Sequence, residues 1–154
     1  LIERKVMSSP LLYLSAFFEA TRRDYYDHLL AVSQRGEWES WLEYFLIAVA
    51  RQSEDGLSRA TRINNLLAEW RQLITGSSAR NALLLLDVVA QNPFLTTKAA
   101  AKQLNCAFTT AQRAIGKLQQ ASVLTEVSQA RRDRVFCAKA ILDILEEPAH
   151  LTPR

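Results

Sequence analysis

The sequence predicts a mainly α-helical fold with one pair of short antiparallel strands in its second half. Apolar residues recur every three or four positions along most of the chain, which is the spacing of a helix with one buried face. Glycine and proline are scarce, at four residues each in 154, and this argues against an all-β sandwich or a disordered chain. A run of alternating apolar and polar residues, typical of a strand, occurs at Val123–Val127.

Charge divides the chain into two unequal halves. Residues 1–76 carry nine basic and ten acidic residues, whereas residues 77–154 carry ten basic and six acidic, for net charges of −1 and +4. The excess is concentrated in residues 77–137, with eight basic and three acidic side chains. This asymmetry predicts that only the second half meets a polyanion, although a mildly basic solvated surface has the same composition.

The domain organisation is predicted to follow the same division. Residues 1–76 form a helical segment, and residues 77–154 form a second domain. The tract Thr75-Gly76-Ser77-Ser78 is small and polar between two periodic segments, as expected of a linker.

Two helices are predicted in the main part of the first domain. Apolar spacing indicates a helix over residues 22–34, which Gly36 ends. The next helix starts near Glu37 and has a broad apolar face, rich in aromatic residues, that is predicted to be core or interface. The Asp55-Gly56 pair is predicted to bend or break it.

In the second domain the predicted order is helix, helix, turn, helix, hairpin and helix. Asn92-Pro93 ends the first of these helices, and Thr96 or Thr97 caps the second. The elements are a helix from Ser77 or Ser78 to about Gln91, helices at 98–104 and 109–121, strands at 123–127 and 134–137, and a helix at 139–145. This order is that of a winged helix-turn-helix with a two-stranded wing, a module that most often binds duplex DNA.

The third helix of this domain is expected to be the recognition helix. Its outward residues are Thr110, Gln112, Arg113, Gly116, Lys117 and Gln120. Arginine and lysine reach guanine edges or phosphates, and glutamine pairs with adenine. Gln112, Arg113 and Lys117 are therefore predicted to contact bases.

Contacts to the DNA backbone or the minor groove are predicted from three other groups. The residues are Thr109 and Thr110 at the start of the third helix, Lys98 and Lys102 on the second helix, and Arg131, Arg132 and Arg134 at the wing. A helix start favours phosphate oxygens, the second helix of this motif crosses the backbone, and wing arginines suit the minor groove or phosphates. Each group has a simpler interpretation as a solvated surface.

No catalytic or metal-binding pattern is present in the sequence. His28 and His150 lack the Cys, Asp or Glu spacing of a metal site, and no glycine-rich phosphate loop is found. Cys106 and Cys137 are too few for a disulfide framework and are expected to be reduced core residues. The apolar runs are too short to span a bilayer, and no signal peptide is recognised, so a cytoplasmic protein with no membrane partner and no cofactor of its own is expected.

Three segments of the first half resemble the C-terminal part of Fic-family proteins. They are Pro10–Glu19 (PLLYLSAFFE), Arg23–Tyr26 (RDYY) and Gly36–Leu46 (GEWESWLEYFL). Fic proteins are helical enzymes that commonly transfer AMP from ATP to a hydroxyl side chain of a target protein, and in many members a winged helix follows the Fic core. The resemblance covers about residues 1–146 and implies that the parent enzyme uses ATP and Mg²⁺.

The active motif of that family, HPFxDGNGR, would lie before Leu1 and is absent from this sequence. Its His is the general base and its Gly-Asn-Gly-Arg holds phosphate, so no catalytic residue is carried over. The chain is therefore expected to be a C-terminal piece without AMP-transferase activity, acting as the DNA-binding regulatory or targeting part of a Fic enzyme. The alternatives are a protein docking or homodimerisation module that exposes its Trp, Tyr and Phe residues, and a structural cap on the parent catalytic core.

Overall fold

The computed structural model describes residues 14–76, 79–128 and 133–148. Over these residues the protein is mainly α-helical, with seven helices and one small antiparallel sheet of three strands. The chain divides into two compact units, one around residues 14–60 and one formed by residues 61–147. The division falls inside a long helix, whereas the domain boundary predicted from the sequence follows residue 76.

The helices and strands follow the order α1, α2, α3, α4, β1, α5, α6, β2, β3 and α7. They span α1 Leu14–Ala20, α2 Arg22–Arg35, α3 Trp38–Leu73, α4 Ala79–Gln91, β1 Phe94–Thr96, α5 Thr97–Gln103, α6 Phe108–Gln120, β2 Thr125–Glu126, β3 Val135–Cys137 and α7 Lys139–Glu146. The helix predicted over residues 22–34 is present, and Gly36 ends it in the left-handed conformation at φ +70°.

Helix α3 continues through Asp55 and Gly56, so the prediction that the helix breaks at this pair is wrong. A single glycine inside a helix costs only about 1 kcal/mol, which the rest of a 36-residue helix outweighs. The Nε of Arg59 also donates to a carboxylate oxygen of Asp55 at 2.7 Å, one turn away, and both side chains are largely buried. This i,i+4 pair supports the helix at the point where glycine weakens it.

The first unit has a small aromatic core between its helices. Phe17, Tyr44 and Ala48 are buried, and half-buried aromatic residues pack around them. The hydroxyl of Thr21 donates to the carbonyl of Phe17 at 2.8 Å and lies 2.6 Å from the hydroxyl of Tyr44. These bonds satisfy the polar atoms that burial would otherwise leave unpaired.

The second unit contains the larger core. Its fully buried side chains come from α4, α6, α7 and the chain around the sheet, and the largest are Leu85, Leu86, Val89, Ile115, Leu118, Val123, Cys137 and Ile141. The end of α3 belongs to this core, because Leu67 and Trp70 are buried in it together with Ile74, the residue after the helix. The sequence placed these three residues in the first domain.

The sheet has the strand order β1-β3-β2, and both pairings are antiparallel. The predicted hairpin is present, with Thr125 opposite Cys137, but the prediction of a two-stranded sheet is wrong because β1 pairs along the other edge of β3. The carbonyl of Pro93 accepts a hydrogen bond from the Ala138 N–H at 2.8 Å, which extends this pairing. Only three residues form β1, too few for alternation to be recognised in the sequence.

Neither a membrane span nor a metal site is found in the described part of the chain. None of its helices is long and apolar enough to cross a membrane. It holds no group of three or more His, Cys, Asp or Glu side chains placed to bind a metal ion. Both cysteines are free thiols, with Cys137 buried and Cys106 half-buried.

Candidate nucleic-acid interface

Helices α5 and α6 are joined by a tight turn. The hydroxyl oxygen of Thr96 accepts from the Ala99 N–H at 3.2 Å and caps α5, as predicted. After α5, Asn105 adopts a left-handed conformation at φ +47°, and the Cys106 N–H bonds to the carbonyl of Ala101 at 3.0 Å. The chain can therefore turn within a few residues and start α6 at Phe108.

One face of α6 is anchored in the core. Ala111, Ala114, Ile115 and Leu118 are all buried, as the spacing predicted. Thr109, Gln112 and Arg113 lie on the exposed side, whereas Thr110 and Lys117 are half-buried. The helix is thus packed against the core on one face, while its polar face is exposed to solvent.

A cavity of about 400 Å³ joins three of the predicted site residues. Lys98 contributes from α5, Gln112 from α6, and Arg134 from the residue before β3. The remaining lining residues are Thr96, Thr97, Phe108, Ile115, Gln119, Asp133 and Phe136. The fold therefore brings together one side chain from α5, one from α6 and one from the connection between β2 and β3.

Lys117 lies on a different flank of α6. Five residues separate it from Gln112, which corresponds to a rotation of about 140° around the helix. Its Nζ donates to the backbone carbonyl of Thr75. It lines a separate surface hollow with Leu73, Thr75 and Gln120 among others. The structure therefore does not bring Lys117 together with Gln112 at the cavity.

The connection between β2 and β3 is described only at its two ends. Arg134 is about half exposed, and its guanidinium lies 3.5 Å from a carboxylate oxygen of Glu126. Its charge is thus partly balanced within the hairpin, which sequence spacing did not indicate. Arg131 and Arg132, which were predicted to contact the minor groove or phosphates, lie outside the described residues.

Three exposed cations lie on α5 and α6. Among the described residues, no carboxylate lies within ion-pair distance of Lys98, Lys102 or Arg113. By contrast, Arg71 on α3 pairs with Asp87 on α4 at 2.7 Å. Uncompensated charge on two adjacent helices produces a positive local potential, which favours an anionic ligand.

Phe108 is a surface residue that sequence reasoning did not select. It is 56% exposed, although it lies seven residues before the buried Ile115 and therefore on the same side of α6. Spacing alone predicts burial for such a residue. A large apolar residue at the first position of a candidate recognition helix was the signal available in the sequence.

No protein-family model matches the chain. The exposed side chains of α5 and α6 are mainly amides, hydroxyls and cations. Such groups bind phosphates and the edges of bases by hydrogen bonds and charge.

Proposed function

We propose that residues 61–147 form a winged-helix domain that binds duplex DNA, with α6 in the major groove and the β2–β3 connection as the wing. The observation that carries this proposal is the set of exposed cations on α5 and α6 that have no ion pair among the described residues. Unpaired cations favour a polyanion over a neutral partner. The tight turn between the helices and the buried inner face of α6 support the helix-turn-helix assignment.

The proposed roles follow from the position of each side chain. Lys98 and Lys102 contact phosphates, because α5 crosses the backbone in this docking mode. Thr109 and Thr110, at the first turn of α6, hydrogen-bond to phosphate oxygens. Gln112 and Arg113 reach base edges in the major groove.

We also propose that the chain is the C-terminal part of a Fic-like enzyme, in which the DNA-binding domain regulates or directs the catalytic core. The sequence resemblance alone supports this idea; Phe18, Tyr25 and Trp41, which lie in the resembling segments, pack against one another in the first unit. The ring centroid of Tyr25 lies 5.0 Å from that of Phe18 and 5.7 Å from that of Trp41. ATP and Mg²⁺ would belong to the parent core, and incubation of this chain with labelled ATP and candidate targets should give no transfer above a blank.

A titration of fluorescent random-sequence duplex, followed by anisotropy at several salt concentrations, tests the DNA proposal. We expect binding that weakens steeply as salt rises. The Arg131→Ala/Arg132→Ala variant should weaken binding to all sequences alike, whereas Arg113→Ala should change the sequence preference. Arg51→Ala, which removes a cation from the first unit, serves as the control. Absence of binding at low salt would refute the proposal.

A second candidate function is protein docking or homodimerisation through α3. Trp38, Leu42 and Leu46 follow one another at four-residue spacing and are 62%, 54% and 62% exposed. Three large apolar side chains in a row on one helix face are unusual on a monomer surface and typical of an interface.

A further inference from the structure

Phe108 and Gln112 are neighbours on the flank of α6 that faces the cavity. They are separated by one helical turn, which places their Cβ atoms about 5–6 Å apart. Both side chains line the cavity between α5, α6 and β3. Both are also exposed, so each is accessible to a ligand that enters from solvent.

The lining of the cavity offers hydrogen-bonding and apolar groups beside its charged side chains. The charged residues are Lys98, Arg134 and Asp133, two cations and one carboxylate, so charge alone does not exclude a phosphate. Gln112 and Gln119 offer amides that donate and accept hydrogen bonds, and Phe108 and Phe136 offer apolar surface. A ligand that matches this lining presents hydrogen-bonding groups beside an apolar one.

The major-groove edge of an A·T base pair has this combination. Adenine N7 accepts a hydrogen bond from the amide NH2 of a glutamine, and the adenine N6 amino group donates to the amide oxygen. Thymine presents its methyl group, which packs against apolar side chains such as phenylalanine. A G·C pair presents no methyl group in the groove.

The spacing of the two side chains fits neighbouring base pairs. Four residues of α-helix advance about 6 Å along the axis. The rise of one base pair is about 3.4 Å. A helix lying along the groove would thus place Phe108 within about two base pairs of the base that Gln112 contacts.

We propose that Phe108 and Gln112 together select A·T pairs, with Gln112 bonded to an adenine and Phe108 packed on the methyl group of a nearby thymine. This inference rests on the proposed DNA binding by α6 and specifies what the helix reads. It also accounts for a large aromatic ring that remains 56% exposed at the first position of α6.

The experiment begins with selection of preferred sequences from duplexes with a randomised centre, using the full chain. The best duplex is then compared with versions in which each thymine is replaced by deoxyuridine, which lacks only the methyl group. At one position, this replacement should weaken binding by the wild-type chain about fourfold, the worth of one buried methyl group. This measurement needs no variant protein.

Three variants then assign the effect to residues. Phe108→Ala should bind the thymine and deoxyuridine duplexes equally, and Phe108→Leu should retain part of the difference because it keeps an apolar contact. Phe94→Ala is the matched control, since Phe94 is a phenylalanine 46% exposed in the same unit but is not part of the cavity lining. Phe94→Ala should prefer the thymine duplex over the deoxyuridine duplex to the same extent as the wild type. Gln112→Ala should lose the preference for adenine at one position.

The outcomes separate this inference from the DNA-binding proposal. Salt-dependent binding without A·T enrichment, or with no position sensitive to deoxyuridine, would overturn the inference and leave DNA binding intact. Equal loss of discrimination in Phe108→Ala and Phe94→Ala would also overturn it. Absence of DNA binding at low salt would refute both proposals.

Discussion

Arg62 and Glu147 form a bidentate ion pair that joins the start and the end of the second compact unit. The two guanidinium nitrogens lie 2.5 and 2.7 Å from the two carboxylate oxygens. Arg62 is one residue inside the start of the unit, and Glu147 is its last residue. The hydrogen bond to Glu147 raises the pKa of Arg62, so its guanidinium stays protonated. The two ends of residues 61–147 are therefore tied together.

Because the ion pair between Arg62 and Glu147 joins the two ends of this compact unit, we expect a fragment of residues 61–148 to fold without the first unit. A fragment of residues 77–148, cut at the predicted linker, lacks Leu67, Trp70 and Ile74, which are buried in the core. Loss of such side chains leaves cavities, so we expect the shorter fragment to be less stable by at least about 3 kcal/mol. Urea unfolding followed by circular dichroism measures the difference. Equal stability of the two fragments would contradict the placement of the end of α3 in this core.

The bond from Lys117 to Thr75 predicts a structural effect of Lys117. Replacement by Met keeps the length of the side chain and removes the donor, so the free energy of unfolding should fall by about 0.5–1 kcal/mol. Thermal unfolding of Lys117→Met measures this. Lys139→Met is the control, because Lys139 is exposed and should tolerate the change without loss. If Lys117→Met instead changes the DNA sequence preference, as expected for Arg113→Ala, and leaves the stability unchanged, Lys117 contacts bases rather than the carbonyl of Thr75.

Cys137 predicts a pH dependence of stability. Burial raises the pKa of its thiol above the ordinary value of 9.0. The folded state therefore holds the thiol proton more tightly than the unfolded state does. The resulting stability is fully present below about pH 9, the pKa of the unfolded state, and is lost as the pH rises through the folded-state pKa. Urea unfolding at mildly and strongly alkaline pH should show a larger loss for the wild type than for Cys137→Ala. A parallel loss in both proteins would rule out this contribution.

The exposed apolar side chains of Trp38, Leu42 and Leu46 on α3 predict self-association of the chain. If Trp38, Leu42 and Leu46 form a dimer contact, sedimentation at increasing concentration should show a dimer, and Leu42→Glu/Leu46→Glu should raise its dissociation constant at least about tenfold. Leu73→Glu introduces the same charge at a site that is also 62% exposed, in the second unit, and should leave the dimer intact. A monomer at all concentrations would exclude the homodimer.

Local signals in the sequence were sufficient for most element boundaries in the second half. Asn92-Pro93 marks the end of α4, the Thr96 cap marks the start of α5, and the inward spacing of α6 is reproduced in its buried face. These features depend on residues close together in the chain. Their physical causes, such as a missing N–H or a capping oxygen, act within one turn of helix.

Features that depend on distant residues could not be predicted in this way. Trp70 is buried with α4 and α6 because of the fold, since spacing shows that a helix has an apolar face but not which partner covers it. The same holds for β1, which needs β3 as a partner, and for the bond from Lys117 to Thr75 across 42 residues. At the candidate site, residue types and helix faces were predictable, whereas the pairing of Arg134 with Glu126 and the exposure of Phe108 were not.

The measurement that tests the central claim most directly is the salt dependence of duplex binding by a variant without the two α5 lysines. For the wild type, the logarithm of the binding constant should fall linearly with the logarithm of the salt concentration, and Lys98→Ala/Lys102→Ala should reduce the slope by about 2 units. Arg22→Ala/Arg23→Ala removes the same charge from the first unit, where both arginines face acidic neighbours, and should leave the slope unchanged. Equal slopes for all three proteins, or no binding at low salt, would contradict DNA binding by the α5–α6 face.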